Sequence, residues 1–252
     1  MEHIFNSESF DFQTKASFSM PNVRIGFARK VFSLLGVQLL TTFVLVSAIL
    51  SNYTLQSFLL YHTEFMWISL IISIVSLLAM SFSKTWRKTY PNNYIALTVF
   101  TLTESLLVGY ICCMYEISDV LLAFGITAAT TIGLAAYALL SKQEVSLHKL
   151  WPLFAVYSFL NLFLLFTWSS YSLLHFIYSI VGCVVYSCYL VLDIQRIVSG
   201  RRGAVSIDDY VYGAVSIYLD IINLFIKILK IIDKLKNENE RGRRQDNRSR
   251  RL

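Results

Sequence analysis

The sequence predicts an all-α membrane protein, a seven-transmembrane-helix bundle. Three observations predict it. Hydrophobic types make up 56% of the 252 residues and charged types only 15%, against about 25% charged in an ordinary soluble domain. Seven apolar segments approach the roughly 20 residues that a helix needs to cross the hydrocarbon layer. Lysine and arginine alternate from loop to loop between those segments, the pattern that orients membrane helices. With 15% aromatic residues and three prolines, disordered and proline-rich classes are excluded.

The elements follow in order. Residues 1–23 form a polar arm without an apolar core, so the first membrane helix is expected to direct insertion itself. Lys15, Arg24, Arg29 and Lys30 precede the first segment, 31–50, and no basic residue separates it from the second, 66–82. Lys84, Arg87 and Lys88 then lead to the third, 94–115, which joins the fourth, 120–140, without a Lys or Arg. Lys142 and Lys149 precede the fifth, 150–168, and a loop free of Lys and Arg leads to the sixth, 173–192. Arg196, Arg201 and Arg202 precede the seventh, 210–232. The linkers are short, so residues 24–232 read as one bundle without a separate soluble domain. The alternation places the N-terminus and the even-numbered loops in the cytosol.

The tail, 233–252, breaks the pattern. Seven crossings would leave it outside, yet ten of the 22 basic residues lie from Lys227 onward. Either the tail is translocated despite its charge, or the seventh segment is bent or re-entrant. A basic run beside a membrane is expected to meet anionic lipid head groups or cytosol rather than nucleic acid. Two glycosylation sequons, at Asn52 and Asn247, are not expected to be used. The four cysteines lie in apolar stretches without metal-ligand spacing and read as small packing residues. No phosphate-binding glycine loop, zinc spacing or nucleophile elbow occurs, and no resident cofactor is expected.

Ionisable residues inside membrane segments are costly and point to function. Glu104 lies in the third segment, Asp193 at the end of the sixth, and Asp220 and Lys227 in the seventh. Asp209, Gly213, Ser216, Asp220, Asn223, Lys227 and Lys230 recur at helical spacing and place small and polar groups on one stripe. Such a stripe faces other helices or water, as a hydrogen-bonded packing seam or as part of a pathway. Glu104 is open to a structural or a functional role. Lys227, near a membrane end, is expected to snorkel.

At these residues the chain resembles a known family. Tyr218-Leu219-Asp220-Ile221-Ile222-Asn223-Leu224-Phe225 is similar to the signature of the transmembrane Bax inhibitor motif family. Val23-Arg24 with Phe27 to Phe32, Gln38-Leu39-Leu40, Arg87 to Pro91 with Glu104 downstream, and Leu192-Asp193-Ile194-Gln195 support it, and the match resembles the lifeguard branch. The resemblance covers about residues 23 to 232. It implies a bundle with the last helix central. It also implies a pH-sensitive leak for calcium or other cations across Golgi or endoplasmic reticulum membranes, which lowers store calcium and suppresses apoptosis. By the same resemblance Asp193 and Asp220 form a proton-sharing pair that gates the pathway and contacts Ca²⁺ transiently. Arg87 is the latch on that pair, while Asp208, Glu104 and Asn223 belong to the ion pathway. Implied partners are membrane lipid, calcium ions, other death-regulating membrane proteins and a second copy of the chain. Two departures stand out. Leu192 replaces the usual tyrosine before Asp193, and the tail is longer and more basic.

Two other classes compete. An intramembrane aspartyl protease also needs aspartates on two late helices, where they activate water. The glycines expected one and three residues before the seventh-helix aspartate are Leu219 and Ile217, and no proline follows Pro152, so no enzyme is expected. A non-conducting scaffold that binds death regulators or channels is the main alternative. Receptor and retinal-protein patterns are missing.

Overall fold

The computed structural model describes residues 21–141, 172–199 and 209–249, all helical apart from short connections. Eight helices are described: α1 (Pro21–Ser51), α2 (Tyr53–Tyr61), α3 (Thr63–Phe82), α4 (Lys84–Lys88), α5 (Asn92–Cys112), α6 (Ile117–Leu140), α7 (Ser172–Ser199) and α8 (Tyr210–Ser249). Among the described residues, Ile25–Ser51, Thr63–Phe82, Asn92–Cys112, Ile117–Leu140 and Phe176–Val198 are long and apolar enough to cross a membrane. The expected span at 150–168 and the acid at Asp208 lie outside the described residues.

Burial shows why these helices belong in lipid. On α3, Ser69 and Ser73 are buried while Ile68, Ile71, Ile74 and Val75 are exposed. On α1, Gln38 and Thr42 are buried while Val37, Leu40 and Val44 are exposed. On α6, Asp119 and Thr127 are buried beside exposed Leu121, Leu122 and Ile126. Polar side chains turned inward and apolar ones outward are stable only where the surroundings are as apolar as the side chains. The chain is a multi-pass membrane protein.

Three sequence expectations are corrected. The first loop contains α2, because Asn52 caps it by accepting a hydrogen bond from the Thr54 backbone N–H at 3.0 Å. The first helix starts ten residues early, at Pro21, and proline suits a first helical position. The last segment is not broken by a bend, and the basic tail continues it: α8 is one helix of 40 residues, roughly 60 Å at 1.5 Å per residue. Beyond its apolar half it is supported by one-turn pairs, Lys234–Glu238 at 3.2 Å and Arg244–Glu240 at 3.8 Å.

The chain divides into two compact units, Met1–Met114 with Asp193–Leu219, and Tyr115–Leu192 with Asp220–Leu252. In the first, α1 and α3 pack on α5. The rings of Phe100 and Tyr218 meet in a T-shaped arrangement, 6.0 Å between centroids. A Cβ on Gly109 would lie 2.5 Å from Ile49 Cδ1, so α1 and α5 pack closely at this glycine and a larger residue would require the end of the Ile49 side chain to move. In the second unit, Phe124 of α6 stacks on Phe225 of α8 at 4.5 Å, and Tyr178, Val185 and Leu192 of α7 form a buried cluster flanked by Tyr186 and Tyr189.

Candidate functional site

Asp193 is 6% exposed near the end of α7. Its two carboxylate oxygens have different donors. Oδ1 accepts from Arg196 Nη1 at 3.0 Å, one turn along the same helix. Oδ2 accepts a hydrogen bond from the Ser216 hydroxyl of α8. The α7 carboxylate is thus tied to α8 through a neutral hydroxyl, a bond that breaks without separating ions. Ser216 and Asp220 are one turn apart on the same face of α8, and Asp220 is buried. Asn223, one turn further, is half-buried.

Arg87 does not pair with Asp193. Its Nε lies 2.8 Å from Asp209 Oδ1, and Lys88 Nζ lies 3.6 Å from the same oxygen. The Asp209 side chain is only 11% exposed, so the charge it brings out of water is balanced where it sits. The junction extends to Tyr210, whose hydroxyl accepts from Asn93 Nδ2 at 3.2 Å and whose ring lies 5.5 Å from Lys30 Nζ. The expected latch residue therefore holds the first turn of α8 to α4, through the neighbour of the acid at Asp208. Glu104 accepts from Ser73 Oγ at 2.8 Å, a bond between α5 and α3.

Sequence reasoning missed a third group. Gln38 and Thr42 of α1, Thr101 and Ser105 of α5, and Tyr218 of α8 form a buried hydrogen-bonded cluster. A signal was present: Gln38 and Thr42 are one turn apart, as are Thr101 and Ser105.

Lys227 corrects another expectation. It is 5% exposed, and its ammonium lies 4.1 Å from the centroid of the Tyr178 ring. A cation over an aromatic face replaces part of its hydration, so the side chain is held inside the protein rather than snorkelling. Further along α8, Lys236 donates to Glu116 and, at 3.2 Å, to Asp119 at the start of α6. Those hydrogen bonds raise the Lys236 pKa above its ordinary value. Among the described residues no three His, Cys, Asp or Glu side chains gather in a set that would hold a resident metal ion.

The family model described as inhibitor of apoptosis-promoting Bax1 matches residues 24–238. Human protein lifeguard 3 is 29% identical over 219 residues, covering 83% of this chain and 69% of that protein. Mouse protein lifeguard 4 is 29% identical over 239 residues, covering 92% of this chain and 94% of that protein.

Proposed function

Because the chain belongs to the family of inhibitors of apoptosis-promoting Bax1, we propose that it suppresses cell death as a pH-sensitive calcium leak in Golgi or endoplasmic reticulum membranes. One observation carries this reading: the carboxylates of Asp193 and Asp220 are buried on the last two described helices of a bundle whose outward faces are apolar. Asp193 and Asp220 hold the gating proton. With the proton present, α7 and α8 are joined by neutral hydrogen bonds and the pathway is closed. Its loss leaves two anions that repel or draw a cation to them. Calcium, a hard cation that prefers oxygen ligands, is the cargo. Glu104, Asn223 and Asp208 serve the pathway, and Arg87 acts as the latch through Asp209.

The N-terminus is cytosolic by the basic-residue alternation. The contact of Lys236 with Glu116 and Asp119 supports placing the C-terminal extension on the side of the third loop, opposite the N-terminus. Calcium flux through purified protein in liposomes tests the leak. A folded protein that conducts at no pH would leave the scaffold reading in its place.

A further inference from the structure

The buried cluster of α1, α5 and α8 has more oxygen than its hydrogens satisfy. Ser105 donates to the Thr101 carbonyl at 2.6 Å, Thr101 to the Leu97 carbonyl at 2.8 Å, and Thr42 to the Gln38 carbonyl at 2.9 Å. The Thr42 hydroxyl also lies 2.9 Å from Ser105 Oγ and 2.8 Å from the Tyr218 hydroxyl. These five contacts compete for the four hydrogens of four hydroxyls.

Gln38 is worse provided. Its Nε2 donates to Thr101 Oγ1 at 3.0 Å. Its Oε1 is buried and meets no hydrogen-bond donor among the described residues, although the residue is only 2% exposed. A buried amide oxygen without a partner costs free energy comparable to a lost hydrogen bond. All five residues belong to the first compact unit.

A concentration of neutral oxygens short of protons suits a hard cation, which takes carbonyl and hydroxyl oxygens in place of its water. We propose that Gln38, Thr42, Thr101, Ser105 and Tyr218 form a binding waypoint for the permeating cation, with Gln38 Oε1 as its principal ligand. The proposal rests on the leak reading above and adds residues that the carboxylates do not supply. A neutral oxygen site relieves a cation of part of its hydration without trapping it, as conduction requires.

The test uses the full chain, purified in detergent and reconstituted in liposomes. Two readouts are taken: calcium flux, and the shift in thermal unfolding that calcium alone produces in detergent. Gln38→Leu removes the amide, Gln38→Glu keeps an oxygen ligand, and Ser105→Ala is a milder control for folding. Gln38→Leu and Ser105→Ala are expected to lower flux by about tenfold and about threefold respectively, and to shrink the thermal shift, while Gln38→Glu retains both. Parent-level flux and thermal shift in Gln38→Leu and Ser105→Ala overturn the waypoint while the leak stands, and would mean that a resident water satisfies Gln38. If the parent itself carries no calcium, the leak reading fails. A calcium-dependent thermal shift that disappears in Gln38→Leu would then still support a cation site. If Gln38→Leu does not fold, Ser105→Ala decides by the same two readouts.

Discussion

Arg87→Ala should loosen the first turn of α8, and Asp209→Asn should do the same by the other half of the pair. The guanidinium lies 2.8 Å from Asp209 Oδ1, and the two side chains are 25% and 11% exposed. An ion pair between contacting, partly buried side chains couples by about 0.5–3 kcal/mol. Lys88, 3.6 Å from the same oxygen, remains to share the charge, which favours the lower part of that range. A double-mutant cycle should therefore give a coupling of about 1 kcal/mol, about fivefold in an equilibrium constant. Unfolding midpoints of purified protein in detergent give the stabilities, and calcium flux gives the functional consequence. Each single variant should unfold earlier and leak more at a given pH, because α8 is less firmly held. A parallel cycle between Arg87→Ala and Asp193→Asn should be additive within about 0.5 kcal/mol. Additivity of Arg87 with Asp209, or strong coupling of Arg87 to Asp193, would refute this assignment of the latch.

Three further outcomes are expected. Gly109→Val should destabilise the α1–α5 packing by about 1–3 kcal/mol, read as an earlier unfolding midpoint in detergent, since a Cβ there would lie 2.5 Å from Ile49 Cδ1; an unchanged midpoint would show that the helices separate freely. Lys236→Ala should speed amide hydrogen exchange in residues 237–249 by releasing the contacts with Glu116 and Asp119. Because those partners raise the Lys236 pKa, loss of the Lys236 proton should cause the same release in the parent as pH rises through that raised value, well into alkali. An epitope at residue 252 should be reached only when the organelle membrane is permeabilised, and labelling with the plasma membrane alone opened would place the extension in the cytosol.

Much of the fold was legible because a membrane imposes a length and a composition on any helix that crosses it. α3, α5 and α6 were found within three residues of their ends, the third segment running to 115 because apolar residues continue past Cys112. Two elements were hidden for local reasons. α2 depends on the Asn52 cap in what reads as a loop, and the far half of α8 depends on one-turn ion pairs that look like a scattered charge run. At the site, Asp193 was legible as a carboxylate in an apolar segment, but its tie to Ser216 was not, since nothing in a sequence tells which hydroxyl reaches it across helices. Arg87 was singled out by the resemblance alone, as the latch on Asp193 and Asp220. Its choice of Asp209 comes from the packing of α4 and α8. The Gln38 cluster went unseen because neutral polar residues are ordinary in membrane helices until their hydrogen bonds can be counted.

The most direct test of the central claim is calcium flux through the purified protein in liposomes, followed from about pH 6 to about pH 8, for the parent and for Asp193→Asn and Asp220→Asn. The account predicts a parent leak that rises with pH and a clearly altered slope in both variants, each still folded. A flat parent profile, or an unchanged slope in a folded Asp193→Asn protein, would contradict it.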